Sequence, residues 1–359
     1  MSVYVIAEAG VNHNGCRKKA IQLIDVAIQS GADAVKFQTF QADKLVNTNA
    51  LKADYQLKTT RKNETQYEML KRLELSQEFH FELKEHCQRN KIDFLSTAFD
   101  HESLDFLVSK LKLKKLKIPS GEITNAPLIL SHAQTLSDII VSTGMATIEE
   151  IKDALSVIAY GYISPESKKK PSKKLFQQAF SSEAGQKLLK EKVTILQCTS
   201  EYPAPISEVN LTVMKTLNKR FNLNVGFSDH TQGINASLAA AALGASIIEK
   251  HFTLDKSLDG PDHSSSLEPI ELSSMISSIR EIEIALGDGI KKPSKSEQKN
   301  IKIIRKSLMA KKDIKLGEEF NSSNLCIKRP QKGITPFKYW DYLDKKSNKN
   351  YKAGDCIEE

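Results

Sequence analysis

The chain has 359 residues, of which 40% are hydrophobic and 27% charged, a composition typical of a soluble globular protein. Its length exceeds what one ordinary hydrophobic core fills, which predicts a large domain joined to a small one. The formal net charge is +8, but only 8 of the 52 basic residues are arginine and no stretch interleaves arginine with aromatic residues. This pattern indicates a lysine-rich solvated surface with an anion site and argues against nucleic-acid binding.

The cysteines and the amino-terminal segment bear on location. The five cysteines are scattered without CxxC spacing, which favours a reducing cytoplasm over a disulfide framework. Cys198 ends an apolar run with no base evident beside it, so we expect a buried structural thiol. Met1 leads directly into a strand-like run without a basic leader, and no apolar run approaches membrane length. These features predict a cytoplasmic protein without a membrane partner.

Short apolar runs alternate with amphipathic helical segments along residues 1–286. The segment 19–30 shows the helical pattern clearly, because its apolar residues share one face and Gly31 follows as a stop. Eight runs are typical of buried strands: 3–8, 33–38, 92–97, 115–118, 138–143, 193–198, 223–229 and 246–251. Eight strands separated by helices predict an α/β fold, the (β/α)8 TIM barrel.

Two insertions interrupt this alternation and a small module follows it. Residues 40–75 are polar and helix-prone, which predicts a lid or excursion above the barrel, and the insertion at 161–190 begins with a proline- and lysine-rich loop that we interpret as solvated. The predicted organisation is a TIM-barrel catalytic domain at 1–286, a linker at 287–305 and a compact module at 306–359. We expect so small a module to pack on the barrel or on a second subunit.

Two histidines follow neighbouring strands of the predicted barrel. His230 ends one apolar run and His251 ends the next, with one helix-sized segment between them and with Asp229 and Glu249 beside them. Parallel strands joined by one helix lie side by side, so both imidazoles would reach one ion at the carboxyl ends, where such folds build active sites. A single histidine here would more often be a core residue, but two at this spacing predict a metal site.

Polar residues at the other strand ends form a coherent set. Lys36, Lys117 and several hydroxyls predict a small, highly anionic ligand such as a phosphorylated carboxylate. A barrel lysine can instead form a Schiff base, as in class I aldolases, but a two-histidine metal site would polarise a carbonyl without an imine. The strand-end residues in this set are Glu8, Lys36, Gln38, Thr97, Lys117, Ser120, Ser142, Ser200, Tyr202, Ser228 and Glu249.

Nine motifs stand in a fixed order along the chain. They are EAGVNHNG at 8–15, VKFQT at 35–39, KIPSGE at 117–122, STGM at 142–145, CT with YP at 198–203, SDHT at 228–231, EKHF at 249–252, GPD at 260–262 and KRP at 328–330. In this set and order the chain resembles the sialic acid synthase family over nearly its whole length. The resemblance implies a TIM barrel closed by a small C-terminal antifreeze-like (SAF) domain.

The resemblance also implies an activity and a set of residue roles. Phosphoenolpyruvate would condense with an N-acetylated mannose-type sugar, giving a nine-carbon 2-keto acid and inorganic phosphate with C–O cleavage. His230 and His251 would bind a divalent metal, with Mn²⁺ the first candidate and Mg²⁺ or Co²⁺ the alternatives. The catalytic residues would be Glu8, Lys36, Lys117 and Glu249, and the substrates would be held by Gln38, Thr97, Ser120, Ser142, Ser200, Tyr202, Ser228, Asp262 and Arg329.

The resemblance assigns Arg329 a role between subunits. It resembles the arginine that reaches from the small domain into the partner subunit's site, which implies a domain-swapped homodimer. The chain departs from the family at Gln331, where glycine usually follows the Arg-Pro pair. Ser200 also stands where the sialate branch often carries asparagine.

Further motifs resemble the legionaminic acid branch of the family. They include TSEYPAP at 199–205, GPDH at 260–263 and SLEP at 266–269. This branch uses 2,4-diacetamido-2,4,6-trideoxymannose in surface polysaccharide biosynthesis, so the favoured prediction is synthesis of N,N'-diacetyllegionaminate. N-acetylneuraminate synthesis from N-acetylmannosamine and a pseudaminate-type synthase are alternatives within the same chemistry. A metal-dependent aldolase, another phosphoenolpyruvate-condensing enzyme and a non-enzymatic carbohydrate-binding protein are the alternatives outside it.

Overall fold

Eight parallel strands form a closed barrel in chain order, and β8 pairs with β1 to complete it. The computed structural model describes residues 2–61, 63–167 and 169–359. Met1, Lys62 of the predicted excursion and Lys168 of the predicted solvated loop lie outside the described residues. The strands are β1 Tyr4–Gly10, β2 Ala34–Thr39, β3 Asp93–Ala98, β4 Lys115–Ile118, β5 Asp138–Ser142, β6 Val193–Cys198, β7 Asn224–Asp229 and β8 Ile247–His251. Each strand overlaps one predicted run, and the predicted TIM barrel is confirmed.

Helices connect consecutive barrel strands. The segment predicted at 19–30 is helix α1, which ends where Gly31 takes a φ of +79° that glycine tolerates best. The helices up to the end of the barrel are α1 Arg17–Gln29, α2 Ala42–Leu45, α3 Asp54–Thr59, α4 Gln66–Leu73, α5 Gln77–Arg89, α6 His101–Asp105, α7 Ala126–Gln134, α8 Ile148–Ile163, α9 Lys173–Ser181, α10 Glu183–Lys192, α11 Val213–Phe221, α12 Asn235–Ala242 and α13 Pro269–Leu286.

The strand register brings polar residues to one edge of the barrel. Glu8 lies level with Lys36 on one side and with His251 on the other, and Ser228 lies level with Glu249. All strands run in the same direction, so their carboxyl ends share an edge, and alternate residues of each strand face the interior. These residues therefore surround one opening.

An apolar layer closes the barrel interior beneath that opening. It consists of six residues, each of which stands two positions before a polar residue or a cysteine in the same strand. Side chains two positions apart point to the same face of a strand, so the apolar residues lie in the interior below the polar ones. They are Ile6, Ala34, Leu95, Ile140, Leu196 and Ile247, all buried. Because this layer fills the barrel interior from below, the opening lies at the carboxyl ends of the strands.

The excursion after β2, residues 40–75, contains the three short helices α2, α3 and α4. Helix α4 begins with a capping box. The Thr65 hydroxyl accepts a hydrogen bond from the Glu68 backbone N–H, and the Glu68 carboxylate accepts one from the Thr65 backbone N–H. Helix α3 is joined to the loop after β8, because the Gly260 backbone N–H donates to the Thr59 carbonyl at 3.0 Å. The excursion is therefore tied to both sides of the barrel opening.

Residues Asp288–Glu359 form a second compact unit. It contains α14 Lys295–Ile304, an antiparallel pair of strands, β9 Ser307–Ala310 and β10 Leu325–Lys328, and α15 Tyr339–Tyr342. Its own core consists of Leu308, Ala310, Ile314, Phe320, Leu325, Ile334, Tyr351 and Ile357. Helix α14 lies inside the predicted linker at 287–305. Within the described part of the chain, no helix combines the length and apolar character needed to cross a membrane.

Candidate active site

A cavity of about 470 Å³ opens at the carboxyl ends of the barrel strands. It has the position in which TIM barrels hold their active sites. Its lining includes Glu8, Lys36, Gln38, Thr97, Lys117, Ser120, Ser142, Ser200, Tyr202, Ser228, His230, Glu249, His251 and Asp262. The structure thus brings together every residue of the barrel that the sequence nominated for catalysis, substrate binding or metal binding.

Four buried charged side chains form the floor of the cavity. Lys36 Nζ lies 2.7 Å from Glu8 Oε2 and 3.6 Å from Glu249 Oε2. Lys117 Nζ donates to Glu249 Oε1 at 3.2 Å. Two ammonium groups and two carboxylates balance one another, which is the condition under which a protein interior retains ionised side chains.

Two hydroxyl groups complete this charge cluster. Lys36 Nζ donates to Thr97 Oγ1 at 3.0 Å, and Ser228 Oγ donates to Glu249 Oε1 at 3.1 Å. Glu249 therefore receives hydrogen bonds from both a lysine and a serine. This side chain is the point where the charge cluster converges.

The neighbouring charges shift the pKa values within the cluster. Burial opposes ionisation of Glu249, but the charges of Lys117 and Lys36 outweigh it and lower the pKa of this carboxyl to about 2. Burial raises the pKa of Glu8 to about 7, although Lys36 acts in the opposite direction. Burial lowers the pKa of Lys117, whereas the two carboxylates outweigh burial at Lys36 and raise its pKa. The two carboxyl groups thus differ in proton affinity within one site.

Serine hydroxyls converge around Gly144, which follows β5. The Gly144 N–H donates to Ser120 Oγ at 3.0 Å. A Cβ at position 144 would lie 2.2 Å from Ser200 Oγ and 2.8 Å from Ser120 Oγ, so only glycine leaves room for both hydroxyls. Ser142 Oγ is buried and has no hydrogen-bond partner among the described residues. Free hydroxyl donors in a cavity with two lysines are what an anionic group such as phosphate requires.

His230 and His251 lie together at the ends of β7 and β8, with ring centroids 5.6 Å apart. His230 Nδ1 donates to the Thr199 carbonyl at 2.7 Å, which leaves its Nε2 lone pair free. His251 Nδ1 is buried, has no hydrogen-bond partner within the described part of the chain, and lies 3.8 Å from Asp262 Oδ2. An imidazole nitrogen binds a transition metal at about 2.1 Å, so one ion can reach both rings at this separation.

The histidine pair therefore fits a divalent metal ion. Across residues 2–61, 63–167 and 169–359, no group of three or more His, Cys, Asp or Glu side chains converges as a ready ligand set. Water or substrate oxygens would complete the coordination of an ion held by two imidazoles, as in catalytic sites that keep positions open.

Gly10 allows the groups around His251 to approach the end of β1. It has a φ of +50°, and a Cβ there would lie 3.3 Å from His251 Cε1 and 3.5 Å from Gln38 Nε2. The register of β1 against β2 shifts between Glu8 and Gly10, as expected of a bulge at a barrel rim. Any other residue would meet these side chains and would also be strained at this φ.

The comparisons with known proteins agree with this geometry. Residues 23–291 match the family model described as the NeuB family. This chain belongs to the NeuB family. It is 52% identical to the N,N'-diacetyllegionaminic acid synthase of Campylobacter jejuni subsp. jejuni serotype O:2, over 99% of this chain and 98% of that protein. It is 43% identical to the N,N'-diacetyllegionaminic acid synthase of Legionella pneumophila subsp. pneumophila, over 99% of this chain and 94% of that protein.

A crystal structure extends the likeness of this NeuB-family chain to three dimensions. The N-acetylneuraminic acid (sialic acid) synthetase of Leptospira borgpetersenii serovar Hardjo-bovis, in complex with citrate, superposes with a TM-score of 0.66. The two sequences are 31% identical, and the match covers 84% of this chain and 90% of the other. The resemblance to the sialic acid synthases is therefore confirmed in sequence and in fold.

Sequence reasoning missed several cavity residues in the excursion. Tyr55 and Gln56 of α3 line the cavity, and the Tyr55 ring lies 5.1 Å from that of Tyr202. Tyr202 in turn packs against His230, with ring centroids 4.1 Å apart. The available signal was an insertion placed directly after a strand that carries site residues, but the pattern could not say which of its side chains turn inward.

Two expectations about the surroundings of the histidines require correction. Cys198 is buried as predicted, but an imidazole does lie beside it, because His230 Nδ1 is 3.8 Å from its Sγ. Asp229 does not join the histidines. It forms a fully buried ion pair with Lys250 at 3.1 Å, because it follows Ser228 and so faces the other side of the strand.

Arg329 is the one nominated residue outside the barrel unit. It directly follows β10 in the second unit and its side chain is exposed. Within the part of the chain that the structure describes, this side chain forms no ion pair. Its role stays a prediction.

Proposed function

We propose that this NeuB-family chain condenses phosphoenolpyruvate with 2,4-diacetamido-2,4,6-trideoxymannose to give N,N'-diacetyllegionaminate and inorganic phosphate. The observation that carries the proposal is a single cavity containing the Lys36–Glu249–Lys117 cluster, a histidine pair and the Ser142 hydroxyl, which no described residue engages in a hydrogen bond. The identity of 52% to a protein named N,N'-diacetyllegionaminic acid synthase supports the choice of acceptor.

In this proposal the chain's lysines and hydroxyls hold the phosphoenolpyruvate. Lys36 and Lys117 neutralise its negative charges, and Ser120, Ser142 and Ser200 donate hydrogen bonds to the phosphate oxygens. Thr97 and Ser228 orient the lysine and the carboxylate of the charge cluster. Gln38, Tyr202 and Asp262 contact the sugar. Binding both substrates in one cavity supplies the proximity that a bimolecular condensation needs.

A divalent cation held by His230 and His251, Mn²⁺ in preference to Mg²⁺ or Co²⁺, would polarise the aldehyde oxygen of the acceptor. Lys36 and Lys117 orient the enol phosphate so that its C3 forms a bond to the aldehyde carbon. Glu249 stabilises the positive charge that then develops at C2. Glu8 takes one proton from the water that adds to C2 and gives it to the former aldehyde oxygen, which becomes a hydroxyl. The bond between C2 and the phosphate ester oxygen then breaks while the new C2 hydroxyl becomes the keto group, and its proton leaves with the phosphate, which the lysines and serines receive.

The test is phosphate release from phosphoenolpyruvate with Mn²⁺, offering 2,4-diacetamido-2,4,6-trideoxymannose and N-acetylmannosamine in parallel. We expect release with strong preference for the first sugar. Preference for N-acetylmannosamine would make the protein an N-acetylneuraminate synthase instead. An aldolase would join the carbon chains without releasing phosphate, and no release with either sugar by folded, metal-loaded protein would overturn the proposal.

The proposal extends to the assembly. Residues 306–359 form the antifreeze-like domain after a linker at 287–305, the protein is a domain-swapped homodimer in the cytoplasm, and Arg329 of one subunit grips the acceptor's N-acetyl group in the other. The exposure of Arg329 supports this assignment, because a side chain that serves another subunit has no partner to engage within its own unit. The product would enter surface polysaccharide biosynthesis.

A further inference from the structure

One side of the active-site cavity is lined by apolar side chains. Leu45 and Val46 at the end of α2, Leu70 in α4 and Phe99 after β3 all line the cavity and are partly exposed to it. We call these four side chains the apolar wall. None of them can donate or accept a hydrogen bond, in contrast to the charged and hydroxyl-bearing side chains elsewhere in the cavity.

The apolar wall packs on a hydrophobic cluster, part of which also lines the cavity. Val11, Phe40, Met69 and Leu73 are buried together, and the wall residues Leu45, Leu70 and Phe99 pack on them. The Phe40 and Phe99 rings meet edge to face, with centroids 6.1 Å apart. The Glu74 carboxylate accepts a hydrogen bond from the Ala42 N–H at 2.6 Å, which joins the end of α4 to the start of α2. The wall is therefore a packed surface of defined shape.

The order of strands around the barrel places the apolar wall relative to the histidines. His251 lies on β8, Glu8 on the adjacent β1 and Gln38 on the adjacent β2. The wall follows, after β2 and β3, whereas the serine cluster around Gly144 lies after β4, β5 and β6. An acceptor sugar whose aldehyde lies at the histidines, and whose carbon chain lies alongside Glu8 and Gln38, therefore has its far end against the apolar wall and away from the serines.

We propose that the apolar wall binds the C6 methyl group of the acceptor sugar and selects 6-deoxy over 6-hydroxy sugars. The inference rests on the proposed function, which sets the aldehyde carbon at the histidines. In a 2,4-diacetamido-2,4,6-trideoxy sugar, C6 is the carbon of the main chain that bears no polar substituent. The acetamido groups need hydrogen-bond partners, which Tyr55 and Gln56 of the same excursion offer and the wall does not.

The physical basis of the selection is an unpaired hydroxyl. A 6-hydroxyl against the wall would lose its hydrogen bonds to water without gaining new ones, whereas a methyl group would be removed from water at a gain. Apolar pockets that exclude one added polar group discriminate by about 10-fold to 100-fold in kcat/KM. We expect discrimination in this range.

The experiment compares two acceptors that differ only at C6 and includes the proposed substrate, which also carries an acetamido group at C4. Phosphate release from phosphoenolpyruvate with Mn²⁺ is measured with N-acetylmannosamine, with 2-acetamido-2,6-dideoxymannose and with the diacetamido trideoxy sugar. The parent enzyme should prefer the 6-deoxy member of the matched pair by about 10-fold to 100-fold in kcat/KM. Val46→Thr, which keeps the shape of the side chain and adds a hydroxyl, and Leu70→Gln should each reduce this preference by about 10-fold, mainly through KM for the sugar, with KM for phosphoenolpyruvate unchanged.

Leu51→Gln is the matched control, because Leu51 belongs to the same excursion and is 90% exposed. It should leave the preference unchanged. Equal kcat/KM for the two C6 forms, in an enzyme that does turn over the diacetamido trideoxy sugar, would overturn the inference and leave the proposed function intact. An equal effect of Leu51→Gln and Val46→Thr would also overturn it. Absence of phosphate release with all three sugars would remove the proposed function and the inference with it.

Discussion

Glu249 is the side chain on which the buried charges of the active site depend. It lies within 3.6 Å of Lys36 and accepts hydrogen bonds from Lys117 and Ser228. Buried charges are stable when each has a partner of opposite charge, and removal of one partner leaves an uncompensated charge in the protein interior. The same carboxylate is the anion that the proposed mechanism sets against the positive charge at C2. Its structural and chemical roles can be separated by an isosteric change.

Glu249→Gln should lower kcat by at least about 100-fold, because the variant loses a preorganised charge while keeping the shape of the side chain. Phosphate release measures the effect, and circular dichroism checks the fold. Glu208→Gln, which changes an exposed carboxylate, is the control and should behave as the parent enzyme. Retention of parental kcat by a folded Glu249→Gln variant would contradict the role assigned to this carboxylate.

If His230 and His251 hold the metal ion, substitutions at either position should affect metal binding as well as activity. His230→Gln and His251→Gln should each abolish stoichiometric Mn²⁺ binding, measured by titration calorimetry, and chelation with EDTA should remove activity that added Mn²⁺ restores. His101→Gln, at an exposed histidine on α6, should bind Mn²⁺ as the parent does. Undiminished Mn²⁺ binding by both cavity variants would show that the ion is held elsewhere.

Gly144 and Gly121 offer a matched pair of substitutions. A Cβ at Gly144 would lie 2.2 Å from Ser200 Oγ, whereas a Cβ at Gly121 would meet nothing within 4 Å. Gly144→Ala should therefore displace the serines and raise KM for phosphoenolpyruvate by about 10-fold, the loss of roughly one hydrogen bond to a charged group. Gly121→Ala should leave this KM unchanged. Steady-state kinetics at saturating sugar distinguishes the two, and equal KM values would contradict the proposed phosphate contacts.

At the scale of single elements, the outer helices contribute stability that depends on pH. His132 of α7 is buried away from the cavity; its Nδ1 donates to the Leu128 carbonyl at 2.9 Å, and its Nε2 has no partner among the described residues. Burial lowers the pKa of His132 from its ordinary value of 6.5 to about 4. The folded state thus disfavours the protonated ring, and stability that is complete above pH 6.5 declines as the pH falls towards 4.

His132→Gln should remove this part of the acid sensitivity. Between pH 6.5 and pH 5 the unfolded parent chain binds a proton at position 132 that the folded protein does not bind. This difference lowers the parent's free energy of unfolding by about 2 kcal/mol, and the variant does not show this decrease. Thermal unfolding at pH 7 and pH 5 should therefore give a smaller decrease in Tm for the variant. Between pH 7 and pH 8 the two proteins should respond alike. A parental decrease in Tm at pH 5 would show that His132 does not titrate as inferred.

At the scale of the whole molecule, the barrel unit carries the cavity and the second unit carries Arg329. A swapped homodimer would complete each cavity with an arginine from the other subunit, in an isologous arrangement. Each complete active site would then contain residues of two chains, so an experiment that mixes two inactive variants can detect the arrangement.

Arg329→Ala and Glu249→Gln should complement each other when the two variants are co-expressed. In a mixed dimer, the subunit with intact Glu249 receives Arg329 from its partner, so random pairing should restore about a quarter of parental activity. Each variant alone should be strongly impaired. Activity of the mixture no greater than the sum of the separate variants would place the action of Arg329 within its own chain.

The sequence alone determined the barrel and the chemical character of its rim. The eight strands were predicted because a buried parallel strand is a local apolar run. Lys36, Lys117 and His251 lie within such strands, and His230 directly follows one. Parallel strands of a barrel converge at their carboxyl ends whatever the details of packing, so residues at those positions must meet. The resemblance to a known family then supplied roles that spacing cannot provide.

Only the tertiary structure decided which groups touch. The convergence of Lys36, Lys117 and Ser228 on Glu249, the closeness of Cys198 to His230 and the turning of the apolar wall into the cavity all join residues far apart in the chain. Such contacts depend on the register between strands and on the path of loops. A shift of one residue in a strand turns its side chains to the opposite face, and local sequence patterns do not contain that information.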